Sequence, residues 1–296
     1  MSSSDQPLAF STIVPNTESA NVGSIRRSPR KDIQGHLALN GCFTCYETFQ
    51  RSLECFPNNP CLGQRITDSK GTVGKFDFMT YREVGNLVRD FASGLKTLNL
   101  VPPNNDGISM LGLYMKNCRS WIVAEQSAFT LGAATVPLYD SFRQENIEFI
   151  LSQTETKTVI CSMSELNKLL LAAQSVKSLN TVIVNCDAVP SDMIASATLL
   201  AAHVRVISWA EVLSEGQKSN VSVVPSPPPT KSIATFCYTS GTTGIPKGAM
   251  LTHENLMVVV TGGLESGIQV NEGDTYLSFL PLPHIFERIV VTALLA

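Results

Sequence analysis

The segment Tyr238-Thr-Ser-Gly-Thr-Thr-Gly-Ile-Pro-Lys-Gly248 carries the residue types that phosphate binding needs. Gly241 and Gly244 let the backbone turn and come close to a bulky anion. Successive backbone N–H groups in such a turn form an anion-binding nest. Ser240, Thr242 and Thr243 add hydroxyl donors, and Lys247 adds a full positive charge. The segment is not a Walker A loop. Counted from Gly241, Pro246 stands where the second glycine belongs and Gly248 where a Ser or Thr belongs. No dinucleotide fingerprint appears either, because Ser109 holds the middle position between Gly107 and Gly112. An ordinary turn between two strands does not account for three hydroxyls and a lysine placed directly after an apolar strand.

A second candidate lies in Tyr276-Leu-Ser-Phe-Leu-Pro-Leu-Pro-His-Ile-Phe-Glu-Arg288. Thr275 to Leu280 reads as a strand that stops at Pro281. Phe286, Ile289, Val290, Ala293 and Leu294 then recur as a helix pattern. His284 stands between the two, beside prolines, in a rigid position suited to a site. A lone histidine is more often a packed or capping residue, so residue types alone leave its role open, and that of Glu287 with it.

The elements that must position these residues alternate. Apolar, β-branched strands read at Ile108–Met115, Ala134–Leu138, Lys157–Cys161, Thr181–Asn185, Val204–Ser208 and Ile233–Tyr238. Helices read at residues 80–98 and near 119–132, 143–152, 164–175 and 190–202. In the first of these, Val84, Leu87, Val88, Phe91, Leu95 and Leu98 recur at spacings of three and four. Thr80 with Glu83, Ser162 with Glu165 and Ser208 with Glu211 predict capping boxes at helix starts. Strands that alternate with helices predict an α/β fold, with parallel-rich sheets buried between helices. The Pro225-Ser-Pro-Pro-Pro229 run reads as part of a connector. The expected organisation is a flexible tail over residues 1–40, a first α/β subdomain over 41–213, a connector over 214–232, and the start of a second subdomain over 233–296.

The chain has 296 residues, 44% hydrophobic and 16% charged, with a net charge of −3. That is enough to bury a large core, and the balance argues against a nucleic-acid partner. Arg26, Arg27, Arg30 and Lys31 form one basic cluster in the tail. It reads as solvated, with attraction to an anionic membrane surface as the sharper reading. Eight cysteines include the lone pair Cys42 and Cys45 at CxxC spacing. No second pair accompanies them, so they read as reduced, partly buried thiols, and no metal site is assigned. No run of about 18 apolar residues is present to span a bilayer.

Tyr238 to Gly248 resembles the signature loop of the adenylate-forming superfamily, which includes acyl-CoA synthetases, luciferases and peptide-synthetase adenylation domains. Ala249-Met-Leu-Thr-His-Glu-Asn-Leu256 is similar to the strand and helix start that follow that loop. Leu280 to Arg288 resembles a core motif in the form found in long-chain fatty acid:CoA ligases; Leu113 to Gln126 resembles the strand and helix that open their domain, and Ala134 to Ser141 their next strand and turn. The resemblance covers roughly residues 40–296 and implies a layered αβαβα domain. It implies that Thr239, Ser240, Gly241, Thr242, Thr243 and Gly244 wrap the ATP phosphates, that Lys247 neutralises the leaving pyrophosphate, and that His284 lies beside the acyl carboxylate and the adenylate. It implies Mg²⁺ on the phosphates, coenzyme A as co-substrate, and a fatty acid that becomes acyl-AMP and then acyl-CoA. It places the protein in the cytoplasm or on the cytosolic face of a membrane, such as the endoplasmic reticulum or peroxisome, with peripheral membrane contact left open. In that family the chain runs well beyond residue 296 and ends in a mobile domain with a catalytic lysine. The 296 residues are therefore expected not to turn over alone. Other acyl or aryl adenylate-formers, or a short nucleotide-binding protein without catalysis, are the alternatives.

Overall fold

The computed structural model describes residues 11–27, 38–67, 71–219, 228–239, 245–266 and 268–296. Ser240 to Gly244, Arg30, Lys31 and Pro225 to Pro227 lie outside them. A seven-stranded sheet forms the frame. In chain order its strands are β5 (Met110–Tyr114), β6 (Ala134–Pro137), β7 (Thr158–Cys161), β8 (Thr181–Val184), β9 (Arg205–Ser208), β10 (Ile233–Thr239) and β11 (Lys247–Thr252). The spatial order is β11-β10-β6-β5-β7-β8-β9. All neighbours are parallel except β10 and β11, so the α/β, parallel-rich expectation is met.

Each parallel strand is apolar on both faces because helices cover both. Leu111, Leu113, Ile160, Ile183 and Ile207 point to one side, toward α2 (Tyr81–Thr97), α3 (Arg119–Thr130) and α7 (Trp209–Lys218). Met110, Tyr114, Val159, Cys161, Val182 and Val184 point to the other, toward α4 (Gln144–Thr154), α5 (Leu166–Ala172) and α6 (Ser191–Leu200). This is the period-two alternation of a strand that turns apolar side chains to both faces.

One helix and two hairpins escaped the sequence reading. α1 (Cys45–Cys55) opens with a capping box of Thr44 and Glu47. β3 (Pro60–Thr67) and β4 (Val73–Thr80) form a separate antiparallel hairpin. β1 (Thr12–Ile13) and β2 (Arg26–Arg27) pair as a second, exposed one. Two of the three expected capping boxes form, at Thr80 and Ser208. The third does not. Ser162 makes no side-chain cap, and a 3₁₀ turn at Met163–Glu165 precedes α5. Glu165 pairs instead with Lys168 at 3.5 Å and accepts from Ser164 Oγ at 3.0 Å, which draws it away from the helix start. α7 runs on to Lys218, so helix occupies the first residues of the expected connector.

α2 and α7 cross at close range, with the rings of Phe91 and Trp209 stacked 3.7 Å apart. Gly94 and Gly216 permit the approach. A Cβ on Gly216 would fall 1.8 Å from the Asp90 carbonyl oxygen, and one on Gly94 2.0 Å from that of Val212. These obstacles are backbone atoms and cannot rotate aside. Gly216→Ala is therefore expected to cost at least about 1–3 kcal/mol despite the better helix propensity of alanine. A urea midpoint equal to or above that of the parent chain would contradict this packing.

Candidate functional site

β10 carries a buried run, Ala234 to Tyr238, outward to an exposed end at Thr239. β11 returns antiparallel and pairs Thr239 with Lys247 and Tyr238 with Gly248. The two feet of the glycine-rich loop are thus held at the spacing of neighbouring strands. Thr239 and Lys247 are exposed, and Ser240, Gly241, Thr242, Thr243 and Gly244 lie outside the described residues. Gly248 has a local reason to be glycine: a Cβ there would lie 2.8 Å from Cζ of Tyr238. The Tyr238 hydroxyl donates to Gln153 Oε1 at 2.7 Å. Burial pushes that phenol up to about 12, so it stays a donor at neutral pH.

His284 is the N-cap of α9 (Ile285–Leu294). The Phe286 N–H donates to its Nδ1 at 3.2 Å. This bond favours the tautomer with the proton on Nε2, which leaves the outer edge of the exposed ring as a donor. The Cys237 thiol donates to the Pro283 carbonyl at 3.7 Å. The strand that ends at the loop therefore also touches the residue before His284. The structure brings Thr239, Lys247 and the His284 turn to one end of β10.

The expected strand at Thr275–Leu280 is absent. Those residues have no strand neighbour, and Leu277 and Phe279 are exposed. The side chain of Asn117 supplies the partners that a neighbouring strand would. The Tyr276 hydroxyl adds a bond to Glu287 Oε2 at 2.7 Å, and Glu287 is wholly buried.

The strongest feature of the site was not seen in the sequence. Arg288, one helical turn beyond His284, is buried and pairs with buried Glu125 of α3. Its guanidinium also donates to Thr235 Oγ1 on β10 and, at 3.2 Å, to Thr135 Oγ1 on β6. It lies over the Trp121 ring, 5.5 Å from the centroid. One side chain thus joins α9, α3, β6 and β10. Opposite charges inside two largely apolar helix patterns were the available signal, but they stand 163 residues apart.

The AMP-binding enzyme family matches residues 49–296. The chain belongs to that family. It is 32% identical over 285 residues to the peroxisomal long chain acyl-CoA synthetase 7 of Arabidopsis thaliana, covering 95% of this chain and 39% of the relative. It is 32% identical over 289 residues to long-chain-fatty-acid–CoA ligase 1 of Homo sapiens, with the same two coverages. The chain therefore spans about two fifths of the length of these relatives. The fold is shared with the A-PCP didomain of carboxylic acid reductase from Segniliparus rugosus in complex with AMP. That match has a TM-score of 0.69 at 22% identity and covers 90% of this chain and 40% of that one.

In this AMP-binding chain Cys45 of the CxxC pair packs in a cluster with Ala234 of β10, with Ile285 and Ile289 of α9 against it. Cys42 and Cys45 are buried free thiols in and before α1, and burial pushes Cys45 up to about 12. The described residues include no group of three side chains suited to hold a metal. No helix among them is long and apolar enough to cross a membrane.

His253, the first residue of α8 (His253–Glu265), is buried edge-on against Phe129 with its Nδ1 unpartnered. Burial, and then the Arg288 guanidinium, lower its pKa from 6.5 to about 4. The folded state keeps it neutral, whereas the unfolded state takes up a proton below about 6.5. The stability present above 6.5 is therefore lost as pH falls toward 4, by at most about 1.4 kcal/mol per pH unit. His253→Gln is expected to flatten urea midpoints between pH 7 and pH 5 relative to the parent. Parallel pH profiles would refute the assignment. Arg288→Met strands Glu125 as a buried charge and is expected to cost about 3–5 kcal/mol, much of it recovered by adding Glu125→Leu. A double-mutant cycle in urea with no coupling would contradict this.

Proposed function

We propose that this sequence forms the nucleotide and acyl-carboxylate site of a long-chain fatty acid:CoA ligase. The observation that carries the reading is the convergence on β10: its end feeds the glycine-rich loop between Thr239 and Lys247, and its Cys237 contacts the His284 turn. The kinship with long-chain acyl-CoA synthetases supports the choice of a fatty acid over other acids.

In the first step a fatty-acid carboxylate oxygen attacks the α-phosphorus of ATP. An O–P bond forms, the bond to the β-phosphate bridge breaks, and pyrophosphate leaves with the electron pair. The approach sets an anion against a polyanion, so fixed positive charge and N–H or O–H donors must do most of the work. Ser240 to Gly244 with Thr239 would surround the phosphates, and Lys247 would balance charge on the departing pyrophosphate. His284, with Nε2–H facing outward, would hydrogen-bond the carboxylate or the adenylate. In the second step the thiolate of coenzyme A attacks the acyl carbon and AMP leaves. The described side chains do not fit a protein-built Mg²⁺ cage, and no step is assigned to a metal.

In a protein of the relatives' full length that carries this sequence, Lys247→Ala is expected to slow fatty-acid-dependent pyrophosphate release on the order of 10² to 10³-fold. The 296-residue chain alone is expected to release none. An unchanged rate in a folded Lys247→Ala protein would remove the assigned role. Fatty-acid-dependent release by the short chain would remove the expectation that residues beyond it are required.

A further inference from the structure

The stretch from Asp274 to Pro283 leads to His284 without a partner strand, yet its backbone groups still need partners. Asn117 provides partners for three of them. Its Nδ2 donates to the Leu280 carbonyl at 2.7 Å, to Ser278 Oγ at 3.0 Å and to the Ser278 carbonyl at 3.2 Å. Its Oδ1 accepts from the Leu282 N–H at 2.9 Å. A carboxamide is the one compact side chain that offers donors and an acceptor in a single plane, as a strand edge does. Asn117 is held rigidly in turn, because it stands in the short link between the wholly buried β5 and α3. From Leu282 the path to His284 is short. Pro283 is held by Cys237, and the His284 N–H closes a turn onto the Pro281 carbonyl at 2.8 Å.

We propose that Asn117 is a positioning residue that stands in for a missing strand and sets the place of His284 relative to the end of β10. The relevance of that placement to adenylation rests on the function proposed above; the clamp itself does not. With both ends fixed, the exposed side chains of Leu277 and Phe279 hang from an anchored backbone. The loss of Asn117 frees the segment and, with it, the imidazole, while the sheet beneath is untouched.

The chain contains four histidines, so ring signals are readily resolved, and two of them make an internal comparison. His284 reports the clamped turn. His253, packed against Phe129 in the core, reports overall integrity. The experiment is nuclear magnetic resonance on the labelled 296-residue chain, without ligand, of the parent, Asn117→Ala and Asn117→Asp. Asn117→Asp keeps the shape and the acceptor for Leu282 but removes both donors. In the parent the Leu282 amide is expected to be protected from exchange while those of Leu277 and Phe279 are not. In Asn117→Ala, Leu282 exchange is expected to rise about 10- to 100-fold. The His284 ring signal is expected to move or broaden in both variants while that of His253 stays in place. An unprotected Leu282 in the parent overturns the proposal. So does a His284 signal that is unchanged in both variants, or one that changes only together with His253. Because no nucleotide is present, failure here leaves the proposed ligase reading intact, and failure of the Lys247 experiment leaves the clamp intact.

Discussion

The buried contact between Arg288 and Glu125 organises the region around β10. Two charges taken out of water are tolerable when each meets the other and most of the remaining polar atoms find partners. Here the threonines at 135 and 235 supply hydroxyls from adjacent parallel strands and Trp121 supplies a ring face, while Arg288 Nε alone of the guanidinium nitrogens is left without a hydrogen bond. The arrangement cannot slip by a residue without leaving a charge stranded. It therefore fixes the rotation of α9, and so the direction in which His284 leaves the helix start. A well-packed apolar pair would hold the helix as firmly but would specify its rotation less sharply.

The sheet and its flanking helices were legible because their signals are local. Val-Ile runs at 158–161 and 181–184, separated by helix-length polar and apolar mixtures, leave few other arrangements. The residues that carry the proposed chemistry were legible for a different reason: glycine, hydroxyl and lysine crowded after a strand have few other uses. What escaped depends on partners far along the chain. Asn117 meets Leu282 across 165 residues. Nothing in the spacing near either residue announces that contact, and the mostly apolar run from Thr275 to Leu280 reads as a strand because a strand is the usual way to satisfy such a backbone. Ser162 shows the opposite failure. Its local pattern was sound, but Glu165 found a lysine one turn away and the box did not close.

Rigid and irregular structure are divided in a useful way. The groups that must keep their places, Arg288, Cys237 and Asn117, sit on or beside buried elements. The groups proposed to meet a ligand, Thr239, Lys247 and His284, are exposed at the ends of those elements. The buried layer determines where the exposed groups stand.

The contact between Tyr238 and Gly248 has a consequence for how such a sequence can drift. The ring fills the space that any larger residue at 248 would need, and its hydroxyl is engaged by Gln153 of α4. A change at 248 is therefore felt at 238 and then at 153, although the three positions belong to three different elements. A smaller residue at 238 would open room at 248 but leave the Gln153 amide without its donor. The three positions are expected to be inherited as a unit, and a single change at any of them meets resistance that two or three made together would avoid.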